Sequence, residues 1–211
     1  MPDLTRPPVG MDATDAVTVV PANEASWEDL RLIFGDRGYA AYCQCQRYKI
    51  GHYQWTDVPV SGRMERLQDE THCGYPSART TSGLVAYLDG EPVGWCAIEP
   101  RTSYPRLQRM PIPWKGRDED KADDGVWAVA CFATRAGFRR RGVARALARA
   151  TVDFARKRGA RALEGYPIIT EPGKEITWGE VHVGSRSIFA DAGFIEVSHP
   201  TLRRVVMRID F

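Results

Sequence analysis

Between Val126 and Arg158 the chain passes from an apolar segment, Val126-Trp127-Ala128-Val129-Ala130-Cys131-Phe132, through a basic loop, Arg139-Arg140-Arg141-Gly142-Val143-Ala144, into a stretch of helical periodicity. No other part of the sequence restricts the fold as tightly. A continuous apolar run of this length predicts a buried strand. Val143, Leu147, Ala150, Phe154 and Ala155 recur at three-to-four spacing and predict a helix with one face on the sheet, ended by Gly159. A strand that feeds a helix through an Arg/Gly loop makes an anion pocket. The first amides of the helix have no intrahelical partner and lie at the positive end of its dipole. Gly142, without a Cβ, lets a phosphate come close to the backbone. The loop is not a P-loop, which needs Gly-Lys-Ser/Thr, nor a dinucleotide fingerprint, which needs three glycines. A solvated helix end has the same composition, so the flanking chain has to decide.

Residues 1–16 carry three prolines and no periodicity, which predicts a flexible N-terminal arm; residues 17–211 are then one domain of ordinary size. Val17-Thr18-Val19-Val20 reads as a short strand ended by Pro21, followed by a helix capped by Asn23 or Ser26 that buries Trp27, Leu30 and Phe34. A helix is predicted from Ser61 to Glu70. Leu84 to Leu88, the turn Asp89-Gly90 and Val93 to Ile98 form an antiparallel hairpin, since Asp-Gly tolerates the positive φ of a tight turn. Residues 101–124 read as a long irregular loop, either functional or merely solvated. Ala162 to Ile168 is the next strand, Gly184 to Ala192 a short helix, and Phe194 to Val197 with Arg204 to Arg208 the closing strands.

Composition narrows the function classes. The chain is 43% hydrophobic and 27% charged, the profile of a soluble globular protein, and no apolar run approaches the ~18 residues that a membrane span needs. The N-terminus lacks the layout of a signal peptide, which makes the cytoplasm the expected location. Five cysteines, an odd number, suit reduced thiols better than a disulfide framework. Cys43-x-Cys45 with His52, His72 and Cys73 has the wrong spacing for common zinc knuckles, so no metal is expected. Tyr39, Tyr42, Tyr48, Tyr53 and Trp55 are candidates for a pocket lining or for core. Net charge is only +2, yet basic residues cluster from Arg135 to Arg161, where a polyanion would need them. The apolar face of that helix argues against nucleic acid as the partner.

The spacing Arg139-x-x-Gly142-x-Ala144 resembles the coenzyme A loop of the GNAT superfamily of N-acetyltransferases, Gln/Arg-x-x-Gly-x-Gly/Ala in that family. The element order after residue 16 is similar to the GNAT fold. Gly184-Ser185-Arg186-Ser187-Ile188-Phe189-Ala190-Asp191-Ala192-Gly193-Phe194 resembles its late helix ending in Gly-Phe. Cys43-Gln44-Cys45-Gln46-Arg47, Gly94-Trp95-Cys96-Ala97 and Glu164-Gly165-Tyr166-Pro167 resemble a bacterial branch of the superfamily. The resemblance implies an α/β fold with a mixed, mostly antiparallel sheet flanked by helices and with splayed central strands. It also implies acetyl-CoA as acyl donor and an amine acceptor that attacks directly in a ternary complex. Main-chain groups of Phe132, Ala133 and Thr134 would pair with the pantetheine arm, and Arg139, Arg140, Arg141, Gly142, Val143, Ala144 and Arg145 would hold the pyrophosphate. Helices before the hairpin would cover the acceptor. Similar proteins are often homodimers.

An alkyl ammonium of pKa ~10.4 must lose a proton before it attacks a thioester. Glu164 is the first candidate base, Glu99 the second and His182 a third; a salt-bridged carboxylate and a helix cap are the plainer readings of each. Many GNAT members protonate the leaving thiolate with a tyrosine four residues before the late glycine, a position held here by Phe189. That leaves Tyr166, Ser187, water, or no acid at all. A catalytically silent acetyl-CoA-binding regulatory module is the alternative reading of the same donor half.

Overall fold

The computed structural model describes residues 17–51, 54–170 and 178–211; the arm at 1–16, His52 and Tyr53 lie outside the described residues. Seven strands form one sheet in the order β1-β2-β3-β4-β5-β7-β6: β1 Thr18–Pro21, β2 Gly83–Leu88, β3 Glu91–Pro100, β4 Val126–Thr134, β5 Ala162–Gly165, β6 Ile195–Thr201 and β7 Arg204–Asp210. Every neighbouring pair is antiparallel except β4 with β5, which run parallel. The architecture is therefore mixed α/β with a mostly antiparallel sheet, as expected.

Helices cover both faces. On one lie α1 (Trp27–Phe34), α2 (Gly38–Cys43), α3 (Val60–Thr71) and α4 (Pro105–Arg109). There Leu30, Ile33, Phe34, Leu67 and Leu107 pack on Val85, Trp95, Ala128 and Val206. On the other face α5 (Val143–Lys157) buries Val143, Leu147 and Phe154 against Ala86, Cys96 and Val129. Two short helices, α6 (Trp178–Val181) and α7 (Arg186–Ala190), follow β5. Ser26, not Asn23, caps α1: its hydroxyl accepts from the Asp29 amide while the Asp29 carboxylate accepts from the Ser26 amide, each at 3.1 Å. Asn23 instead donates to the carbonyls of Tyr75, Pro76 and Ala78. Asp89 and Gly90 both have positive φ, +52° and +80°, as the hairpin turn requires.

The strand expected over residues 162–168 stops at Gly165. Its pairing with β4 covers only Val126–Val129 against Ala162–Gly165, after which β4 continues to Thr134 without β5. Aromatic rings fill one side of this parting. A Cβ on Gly165 would lie 2.2 Å from the Phe189 ring, and Phe189 meets Phe132 and Phe194 edge-on at 5.8 and 5.0 Å.

A second close approach sets the position of α5. A Cβ on Gly94 would lie 2.4 Å from Val143 Cγ1, so the first turn of α5 rests directly on β3. Gly94→Ala is expected to cost about 1–3 kcal/mol, the usual penalty of overpacking a closed core. A thermal melt reads this, and an unchanged midpoint would show that the helix yields freely.

Candidate functional site

The end of β4, the loop after it and the start of α5 enclose a cavity of about 480 Å³ lined by Thr134, Phe138, Arg139, Arg140, Gly142, Val143, Ala144 and Arg145, closed by Val181 and Ile188. Arg140 and Gly142 have left-handed backbone, at φ +62° and +80°. This turns successive peptide groups inward and is strain a non-glycine residue holds only where the surroundings enforce it. Helix α5 has no side-chain N-cap and no acid in its first turn, in contrast to the capping box of α1. Its first helical bond is Ala146 N–H to Gly142 O, which leaves the amides of Val143, Ala144 and Arg145 without an intrahelical acceptor. An uncapped, acid-free helix start beside a cavity fits a phosphate group. Of the ten residues assigned to donor binding from the sequence, Thr134, Arg139, Arg140, Gly142, Val143, Ala144 and Arg145 line this cavity; Phe132, Ala133 and Arg141 do not. The Arg145 side chain pairs with Asp191 at 2.9 Å, and the Arg141 guanidinium lies 5.7 Å from the Phe138 ring.

The expected free edge of β4 needs correction at Phe132. Its N–H, on the side where β5 has departed, donates to the carbonyl of His182 at 2.6 Å. The segment after α6 lies across the parting and takes the bond a neighbouring strand would make. Phe132 N–H points away from β3 and Arg135 N–H donates to Val93 of β3, so alternation along the strand turns the main-chain groups of Ala133 toward Trp95 and not toward the parting.

Glu164 and Tyr166 are brought together, but neither lines this cavity. Glu164 is fully buried, 3.2 Å from Arg101 Nη1 and 2.8 Å from Arg208 Nη1, and also paired with Arg117. Glu119 contacts the same three guanidiniums. Burial alone would raise the Glu164 carboxyl, but Arg117, Arg101 and Arg208 hold it below the ordinary carboxylate range. Tyr166 donates to Glu164 at 3.0 Å, and burial together with that carboxylate pushes its phenol well above the usual value. One is a saturated anion and the other a reluctant acid. Glu99 is salt-bridged to Lys49 at 2.5 Å and lines a separate cavity with His72 and Arg79.

His182 carries the group the sequence ranked third. Its Nδ1 lies 2.8 Å from the Gly179 carbonyl, which makes Nδ1 the protonated nitrogen and Nε2 an acceptor, to which the Tyr48 hydroxyl donates at 3.3 Å. Burial, then the Arg47 charge, lower its pKa to about 4, so the ring is neutral at pH 7. His182 and Tyr48 face a second cavity of about 350 Å³, also lined by Arg47, Arg106, Arg203 and Arg204. The α6 segment is the wall between the two: Val181 faces the first, Gly179 and His182 the second. Of the remaining aromatics, Tyr42 and Trp55 flank the Arg63 guanidinium and Tyr39 accepts from Arg47. Cys45 accepts from the Trp95 indole at 3.1 Å as a buried core sulfur. Among the described residues no three His, Cys, Asp or Glu side chains are grouped to hold a metal ion.

Residues 47–166 match the family model described as Acetyltransferase (GNAT) family, more than half of the chain. The chain belongs to the GNAT acetyltransferase family. Among solved structures it is similar to an N-acetyltransferase from Staphylococcus aureus Mu50, 12% identical over 92% of this chain and 98% of that one, with a TM-score of 0.50. A second structure, described as an acetyltransferase, is 18% identical with the same coverage and a TM-score of 0.50. A third, yncA of Salmonella typhimurium solved with its cofactor acetyl-CoA, is 15% identical over 92% of this chain and 94% of that one, at a TM-score of 0.49. At these identities the first two likenesses show the fold alone. No protein of curated function matches the chain by sequence. Among the described residues no helix is long and apolar enough to cross a membrane.

Proposed function

We propose that this protein transfers an acetyl group from acetyl-CoA to a primary amine by direct attack in a ternary complex. The observation that carries this reading is the uncapped start of α5, its amides opening on the cavity that reaches Thr134 at the parting of β4 and β5. Acetyl-CoA supplies an activated acyl carbon and a thiolate leaving group. The amides of Val143, Ala144 and Arg145 hold its pyrophosphate, with Arg139 and Arg140 adding positive charge. The outer edge of β4 at Thr134 receives the pantetheine arm. Phe132 N–H, once the His182 carbonyl is withdrawn, is the donor for the carbonyl oxygen as negative charge grows there.

The acceptor reacts as its neutral amine, the ammonium proton having gone to water, and attacks with its lone pair, so a C–N bond forms as the C–S bond breaks. The second proton, released from nitrogen after attack, passes to His182 Nε2 once the Tyr48 hydroxyl has turned away from it, and the sulfur departs as a thiolate, which needs no acid from the protein to leave. Phe189, packed in the parting, supplies none. Glu164 and Tyr166 are read here as anchors of β5, not as base and acid. The segment that carries His182 also covers Phe132, so donor entry and presentation of the base move together.

Titration calorimetry with acetyl-CoA tests the donor site. Saturable binding is expected, weakened about 10-fold or more in Gly142→Val, whose branched side chain disfavours the left-handed backbone and obstructs the phosphate. Absence of saturable heat would overturn the reading. Binding with no coenzyme A released on any amine would favour a silent acetyl-CoA-binding module.

A further inference from the structure

The chain holds two groups of three arginines, and they differ in one respect. Arg101, Arg117 and Arg208 share two carboxylates, Glu164 and Glu119. Arg47, Arg106 and Arg204, which converge on the cavity behind His182, share none among the described residues. The Arg47 guanidinium donates to Tyr39 Oη at 2.5 Å and that of Arg106 to the Arg47 carbonyl at 3.2 Å. Arg204 donates to the Tyr166 carbonyl at 2.8 Å, while its Nε is buried without a partner. A fourth arginine on the rim, Arg203, is matched by Glu180 at 3.1 Å, the one carboxylate among the described residues that line the cavity.

Three half-buried guanidiniums facing one space repel each other and keep unused donors, a costly arrangement unless an anion completes it. They come from different parts of the chain, a 3-10 turn at 46–48, α4 and β7, so the cluster is built by the tertiary fold. Among the described residues the one carboxylate that lines the cavity is already paired, which sets this lining against a polycation. At about 350 Å³ it has room for a small molecule only.

Resting on the N-acetyltransferase reading above, we propose that the acceptor is a small primary amine that also bears a carboxylate or phosphonate, anchored by Arg47, Arg106 and Arg204. The anion then fixes the molecule in the cavity that His182 lines, with its amine directed past His182 Nε2 toward the donor once the α6 segment is withdrawn.

Two measurements separate this inference from the reading it rests on. Coenzyme A release is followed with acetyl-CoA and matched sets of amines: α-amino acids, the corresponding amides, aminoalkylphosphonates and linear polyamines. Calorimetry of the same compounds is run on protein saturated with coenzyme A. Acids or phosphonates are expected to surpass their neutral counterparts in kcat/KM by about 10- to 100-fold, the worth of one or two charge-assisted hydrogen bonds. The better of the two anions identifies the preferred group. Arg106→Gln and, as a second variant, Arg47→Gln should remove that preference while acetyl-CoA still binds, which also reports that each variant is folded. Anionic amines that bind without turnover would sustain the pocket assignment and overturn N-acetyl transfer. Equal or better turnover of neutral amines or polyamines, or no binding of any anionic amine, would overturn the pocket assignment.

Discussion

Glu164→Gln is expected to destabilise the protein by about 3–5 kcal/mol, the range for removing one partner of a buried ion pair. The change keeps the volume and deletes the charge, leaving Glu119 alone against Arg101, Arg117 and Arg208. Arg101 is itself fully buried and cannot turn to water. Urea unfolding at neutral pH measures the loss, and a difference within about 1 kcal/mol would show that Glu119 suffices. The sign with pH follows from the lowered carboxyl. Its contribution is complete above the ordinary carboxylate range and is lost as pH falls through the folded-state value. Glu164→Gln should therefore narrow its deficit against the parent protein in strong acid.

His182→Gln is expected to lower kcat by about 10- to 10²-fold, the low end for a positioned base because an imidazole held at about 4 is a weak one at pH 7, with acetyl-CoA affinity little changed. It also alters the acid limb of stability in a different window. The imidazole is held at about 4 when folded, against 6.5 when free, so the unfolded chain takes up the proton first. Stability is full above pH 6.5 and falls between there and 4, by up to about 3 kcal/mol for a shift of this size. The variant should lack that slope, as read from urea midpoints at pH 7 and pH 4.5. Unchanged turnover would remove His182 from the chemistry, and an unchanged slope would show the ring to be solvated in the native state.

Much of the frame was legible because it rests on short-range signals. The Asp89-Gly90 turn, the apolar face of α5 and the late Gly193-Phe194 each declare themselves within a few residues. The strand, loop and helix start from Val126 to Arg145 were legible for the same reason, being contiguous. What escaped depends on distant partners. Arg101, Arg117 and Arg208 stand 63, 47 and 44 residues from Glu164, and no periodicity announces such an encounter. Glu164 was therefore the first candidate base in the sequence, and its plainer reading as a salt-bridged carboxylate came without partners. The loop at 101–124 looked undecided because its burial arises from that same encounter. Phe138, Val181 and Ile188 went unassigned at the cavity beside the start of α5; only Phe138, adjacent to the arginine run, carried a local hint. The capture of Phe132 N–H by His182 is a backbone event and leaves no trace in residue identity.

The parting between β4 and β5 has a mechanical meaning as well. The β5-β7-β6 flap is laced to the other four strands by only four residue pairs, and beyond them the sheet is already torn. A tear that is open by design needs something at its tip to stop it from spreading. The buried knot of guanidiniums and carboxylates on β5 and β7, tied to the loop after β3, is placed to act as that stop.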